Sequence, residues 1–247
     1  MPQKEKIQQM FDGIAPDYDR LNHLMSLGVD RSWRRRALRE IVDAERAQSI
    51  LDIACGTGDF SLAIAGRMHP DSRITGLDLS EGMLAVMRDK VAKAGLQDRI
   101  GCEQGDSEAM RFADASFDVV TIAFGIRNFA HREAALQEIL RVLKPGGHLV
   151  ILELSVPENR ILRWGYNLYF KHFVPWIGGL ISGDKAAYTY LPASVQAFPG
   201  RREWTATMAH CGFAQVRHRA FTLGLCRMYV GEKIPGQARN DVYTSPE

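Results

Sequence analysis

The sequence predicts an α/β fold with a mostly parallel sheet and helices on both faces. Three observations predict it. From about residue 49, short apolar runs alternate with amphipathic helical runs, and such a βαβ succession lays its strands parallel. A glycine-rich turn, "CGTGD" (55–59), stands between the first of those strands and the first of those helices. Near the end, two strands are parted only by "TLG" (222–224), so they form a hairpin and one late strand runs antiparallel to the rest.

Ahead of the alternation, residues 1–45 read as a helical segment. Residues 4–14 predict a short helix with Ile7, Met10, Phe11 and Ile14 on one stripe. "APDYDRLNHLMSLG" (15–28) reads as irregular and then helical to Gly28. Residues 30–43 predict a helix with Asp30 as its N-cap and Trp33, Ala37, Leu38, Ile41 and Val42 on the inner face. Residues 46–233 form the main unit. Its strands are 49–54, 73–80, 100–106, 117–124, 148–154, 214–221 and 225–232. Its helices are 58–68; 80–95, started by Ser80 and closed near Gly95; 132–143, ended by "KPGG"; and 201–213. An aromatic-rich insertion, about 157–200, reads as a lid, and residues 234–247 read as a disordered polar tail.

Composition excludes several classes. Lys plus Arg is 31 and Asp plus Glu is 29, a formal charge of +2, which speaks against a dedicated nucleic-acid binder. Cys55, Cys102, Cys211 and Cys226 lie far apart with no C-x-x-C pair, so no metal site is expected and the thiols read as reduced, as in the cytoplasm. No signal peptide is seen, and no run of 18 apolar residues would span a bilayer.

The candidate ligand site begins at "LDIACGTGD" (51–59). Gly56 and Gly58 let the backbone turn sharply and approach a ligand, and the helix start beyond them presents free N–H groups. Asp78 ends the second strand, where an acid accepts from ribose hydroxyls. Ser61 replaces the third glycine of the dinucleotide fingerprint, and Asp52 and Asp59 make the turn acidic. Carboxylates repel a diphosphate and accept from an ammonium. A ligand with ribose, a free amino-acid head and no phosphate fits: S-adenosylmethionine. Asp106 and Ser107 end the third strand and face the same crevice, where Asp106 is expected to accept from the adenine amino group; the competing reading makes Asp106 or Ser107 a helix cap.

These residues resemble the class I S-adenosylmethionine-dependent methyltransferases. "FDGIAPDYDRLNHLMSLGVDRSWRR", "LDIACGTGD", "FGIRN", "RVLKPGG", "LELSVP" and "YTYLPASVQAFP" narrow the resemblance to the menaquinone/ubiquinone biosynthesis C-methyltransferase family, over about residues 7–231. It implies a Rossmann-like, seven-stranded, mostly parallel sheet with helical N-terminal and lid additions. It also implies methyl transfer to a ring carbon of a polyprenylated quinol. The cofactor residues it implies are Thr57, Asp78, Asp106 and Ser107; Tyr18, Asp52, Gly56, Gly58 and Leu79 complete the candidate cofactor set. One departure is Ala123, where the family usually has serine before "FGIRN".

Carbon must be made nucleophilic before it can accept a methyl group, and a hydroquinone manages this once a phenolic proton leaves. Arg127 stays protonated, so it is expected to stabilise the developing phenolate rather than act as a base. Asn128 is expected to orient the quinol oxygen or a water. The competing reading pairs Arg127 with a nearby carboxylate and makes Asn128 a helix cap. Tyr188, Tyr190 and His172 are weaker candidates for the proton acceptor. The substrate reads as demethylmenaquinol, with a methoxy-benzoquinol of the ubiquinone pathway as rival. A nicotinamide dehydrogenase and a non-catalytic binding protein are the other classes weighed. The aromatic insertion suits either packing on the core or contact with the inner face of a membrane, and a homodimer is left open.

Overall fold

The computed structural model describes residues 4–169 and 185–235, with residues 185–189 described by backbone alone. Seven strands form one sheet: β1 (Ser49–Ile53), β2 (Arg73–Asp78), β3 (Ile100–Gln104), β4 (Phe117–Ala123), β5 (Leu143–Leu154), β6 (Ala214–Phe221) and β7 (Cys226–Glu232). Their order is β3-β2-β1-β4-β5-β7-β6. The β3-β2-β1-β4-β5 run is parallel, and β7 lies antiparallel to both β5 and β6. The order reverses between β1 and β4, which opens a crevice above their C-terminal ends.

The helices are α1 (Lys4–Ile14), α2 (Tyr18–Met25), α3 (Val29–Ile41), α4 (Asp59–Ala65), α5 (Glu81–Lys93), α6 (Arg132–Val142), α7 (Arg160–Leu168), α8 (Lys185–Ala197) and α9 (Arg201–His210). One face of the sheet packs Ile50, Ile74, Val119 and Val150 against Trp33, Ile41, Ile64, Leu84 and Met87 of α3, α4 and α5. The other packs Leu51, Ile53, Val120 and Ile151 against Leu136 and Ile139 of α6 and Trp204 and Met208 of α9. Fully burying each such aliphatic side chain stabilises the fold by roughly 1.5–3 kcal/mol. The strand runs are apolar on both faces because both faces are covered.

Ser80 caps α5 as expected, its side chain accepting from Met83 N at 3.1 Å. Asp30 does not cap α3. Gly28, at φ +73°, takes that position, and the buried Asp30 carboxylate instead meets His23 Nδ1 (2.9 Å), Ser26 Oγ (2.7 Å) and Arg34 Nη1 (2.6 Å). "KPGG" does not separate α6 from β5 either: β5 begins at Leu143. Gly146 and Gly147 exchange backbone hydrogen bonds with Lys233, which keeps the segment in the sheet. The aromatic insertion contributes α7, capped by Asn159 onto Ile161 N and Leu162 N, and α8, which runs through Pro192.

Candidate active site

The C-terminal ends of β1, β2, β3 and β4 surround one pocket. Ala54 and Gly56 come from β1, Asp78, Leu79 and Ser80 from β2, Asp106 and Ser107 from β3, and Ala123 and Asn128 from the end of β4. Lys4, Phe11 and Tyr18 close it from above. Asp78 holds the loop itself: one carboxylate oxygen accepts from Gly56 N at 2.8 Å, the other from Ser80 N at 2.9 Å. Burial pushes its carboxyl up from the usual range, against these backbone donors. A carboxylate accepts about four hydrogen bonds, so Asp78 retains acceptor capacity toward the pocket. Asp106 accepts from Lys4 Nζ at 2.7 Å and Glu108 N at 2.9 Å. The residues of this pocket fit S-adenosylmethionine.

Three expected cofactor residues stand elsewhere. Asp52 faces Thr121 across the β1–β4 pair. It is buried beneath the pocket, accepting from Ser61 Oγ at 2.5 Å and Thr121 Oγ1 at 2.7 Å. Burial pushes its carboxyl up to about 6. It supports the loop from below and does not wall the pocket, where an ammonium would have to sit. Thr57 turns its hydroxyl to Asp19 of α2. Gly58 has φ +81°, and a Cβ there would lie 2.5 Å from Met87 Cγ. Its missing side chain leaves room for Met87 of α5.

A second cavity, of about 640 Å³, adjoins the first. Tyr18 and Phe124 wall both. The second is mostly apolar, lined among others by Trp33, Leu154, Leu162, Tyr166 and Leu191, with Asn22, Ser26, Asp30, Arg34, Arg127 and Thr222 among its polar members. The β4 strand ends, Phe124 takes φ +62°, and the 3-10 turn Ile126–Asn128 follows. Consecutive residues of that turn serve different cavities: Arg127 faces the larger and Asn128 the smaller.

Arg127 is buried and pairs with Glu153 at the end of β5, Nη1 to Oε1 at 2.7 Å. Glu153, fully buried, also accepts from Arg127 N at 3.1 Å and Leu154 N at 2.8 Å. Nη1 donates further to the Phe124 carbonyl, while Nε has no partner among the described residues. Burial is the largest influence and opposes the guanidinium charge, but Glu153 together with Tyr18 and Tyr190 leaves the group's pKa raised. The carboxylate pairing weighed for Arg127 is therefore present, and it leaves donor capacity on the cavity side. Asn128 does not cap α6, whose N-cap is His131. Its Oδ1 accepts from Tyr190 Oη at 2.9 Å. Burial raises the Tyr190 hydroxyl above its usual range, although Arg127 and Arg132 pull it down; a neutral donor suits it better than a base. The side chain of Tyr188 and all of His172 lie outside the described residues.

Residue patterns missed Glu153, Lys4, Asp12 and Asp19. Glu153 carried a signal: an acid inside the apolar run "HLVILEL" needs a cation partner. Asp12 Oδ1 accepts from Ser80 Oγ at 2.5 Å and Gly82 N at 3.0 Å, pinning α1 to the start of α5.

Comparison with known proteins follows the same lines. The model of the ubiE/COQ5 methyltransferase family matches residues 1–233. A demethylmenaquinone methyltransferase of Bacteroides fragilis is 45% identical over 229 residues, 93% of each chain. A ubiquinone/menaquinone biosynthesis C-methyltransferase UbiE of Geobacter sulfurreducens is 50% identical, over 93% of this chain and 89% of that one. Among solved structures, a SAM-dependent methyltransferase from Aquifex aeolicus aligns with TM-score 0.58 at 17% identity, over 81% of this chain and 89% of its own. The [4+2]-cyclase SpnF aligns with TM-score 0.62 at 18%, over 94% and 97%. The fold is thus shared with other chemistry, and the sheet alone does not define the reaction.

Proposed function

The chain belongs to the ubiE/COQ5 methyltransferase family, and from that premise we propose that its methyl acceptor is a ring carbon of a polyprenylated quinol, demethylmenaquinol first. It is an S-adenosylmethionine-dependent C-methyltransferase of quinone biosynthesis. Bound S-adenosylmethionine supplies an electrophilic sulfonium methyl. The chain's own residues have the rest to do. Asp78, Asp106, Ser107 and the Gly56 backbone hold the cofactor's sugar and base. The apolar cavity takes the prenyl tail and the ring, with the reacting carbon at the Tyr18–Phe124 partition. Arg127 stabilises the quinol oxyanion through its cavity-facing donors, and Tyr190 fixes the Asn128 amide on the cofactor side of the Tyr18–Phe124 partition. Glu153 keeps Arg127 in place. The carrying observation is the juxtaposition of a pocket that carries the Asp78 and Asp106 carboxylates with a 640 Å³ apolar cavity across two shared aromatic walls.

Demethylmenaquinol is favoured over the benzoquinol because relatives from Bacteroides fragilis and Porphyromonas gingivalis carry the demethylmenaquinone name. Incubation with labelled cofactor and each chemically reduced quinone tests this. Label is expected in menaquinol, with Arg127→Ala abolishing transfer while calorimetric cofactor affinity stays within about twofold. Label in the benzoquinol product alone would replace the substrate, and label in neither would remove the reading. The apolar cavity further fits an enzyme that works at the membrane surface; no helix among the described residues is long and apolar enough to cross a bilayer.

A further inference from the structure

The mouth of the large cavity is ringed by side chains that a water-facing surface would not select. Leu27, Ile161, Trp164 and Leu223 are 72%, 78%, 69% and 73% exposed, and all four line that cavity. They come from three separate places: the α2–α3 turn, α7 and the β6–β7 turn. Two sit at turn tips held in the left-handed region, Leu27 at φ +52° and Leu223 at φ +56°, beside Thr222 at φ +45°. That conformation is unfavourable for an L-residue, so projecting leucines from both tips works against stability rather than for it.

The three tips are also tied together. Trp33 Nε1 donates to Thr222 Oγ1 at 2.8 Å, Tyr169 Oη to the Met25 carbonyl at 2.7 Å, and Ser155 Oγ to the Gly224 carbonyl at 2.6 Å. The rim is a preformed surface. Its flank is basic. Arg31, Arg34, Arg35 and Arg67 line a surface pocket with His23 and one acid, Asp59. Arg34 borders this pocket and the apolar cavity alike. Asp59 is already held by Lys90 and by Arg34 at 3.5 Å, while Arg31 and Arg35 are exposed and meet no carboxylate among the described residues. Arg160 and Arg163 stand beside Ile161 and Trp164 on α7.

We infer that this rim is a docking surface for an anionic phospholipid bilayer: Leu27, Ile161, Trp164 and Leu223 enter the acyl region, and Arg31 and Arg35 meet headgroup phosphates. Apolar tips with flanking arginines match the chemistry of interfacial anchors. The cavity then opens into lipid rather than water, and a prenyl tail passes between them without hydration. This rests on the quinol reading for its purpose but not for its physics.

Tryptophan fluorescence tests it. Trp33 and Trp204 are buried, so in a Trp176→Phe background Trp164 reports the rim. Vesicles of brominated phosphatidylcholine with phosphatidylglycerol are expected to quench Trp164, with about fivefold tighter binding for each rim arginine engaged. Leu27→Glu with Leu223→Glu is expected to abolish quenching, and Arg31→Ala with Arg35→Ala to remove the preference for phosphatidylglycerol while insertion persists. Calorimetric cofactor binding reports that each variant is folded. Absence of quenching in the parent protein, or quenching untouched by the two glutamates, overturns the docking surface. Quenching in a chain that methylates no quinol overturns the proposed substrate and leaves the surface standing.

Discussion

Arg127 and Glu153 pose the sharpest question at the residue scale, because a buried ion pair can serve stability, chemistry or both. Removing one partner strands the other charge and costs about 3–5 kcal/mol. Replacing both with apolar residues of similar volume removes that penalty. Arg127→Met or Glu153→Leu alone is therefore expected to lower the thermal midpoint sharply, and the double variant to recover most of it, while methyl transfer stays absent in all three. Recovery of turnover with stability would reduce the pair to packing. Asp52 offers a second, pH-resolved test. Its carboxyl titrates near 6 in the fold against 3.8 when free. The folded chain thus binds the proton more tightly, and stability falls as pH rises from about 4 to 6, by roughly 3 kcal/mol at most. Asp52→Asn keeps the acceptor for Ser61 or Thr121 and is expected to flatten that decline in urea titrations at pH 4 and pH 7. A decline unchanged by the substitution would place its origin elsewhere.

At the scale of elements, the turn after β4 is set by how closely two strands' ends approach. A Cβ on Gly125 would lie 2.5 Å from Ala54 Cβ, and Ala54 itself sits at φ +51°. Gly125→Ala is expected to displace the Arg127–Asn128 turn, with about 1–3 kcal/mol lost and turnover down at least tenfold. Adding Ala54→Gly removes the clashing methyl and relieves the positive φ, so it is expected to restore both; failure to rescue would mean the turn is fixed by something other than this contact. The βα alternation was legible because apolar period and turn residues change together along the chain. So was the pocket floor, since Asp78, Asp106 and Ser107 lie at strand ends, where topology alone aims them. The facing of Asp52, Thr57 and Gly58 is not legible, because it depends on Thr121, Asp19 and Met87, partners that no local pattern announces. The start of β5 was misplaced for the same reason: its glycines pair with Lys233, 86 residues away from Gly147.

For the whole molecule, the N-terminal helices form a roof fastened to the sheet by polar contacts over long sequence distances. Lys4 reaches Asp106 and Glu108, Asp12 reaches Ser80 and Gly82, and Asp19 reaches Thr57 and Lys90. Such contacts leave no periodic trace, which is why the helix was readable and its duty was not. Of the two cavities, α1 of this roof walls only the nucleotide-type pocket, through Lys4, Ile7, Gln8 and Phe11, while α2 and α3 also wall the apolar cavity, whose rim carries Leu27, Ile161, Trp164 and Leu223. Each reactant is therefore expected to enter by its own doorway. Demethylated cofactor left behind after a turnover blocks one threshold without obstructing the other. S-adenosylhomocysteine is expected to inhibit competitively against S-adenosylmethionine and non-competitively against the quinol in initial-rate plots, whereas competition against both would mean a single shared entrance.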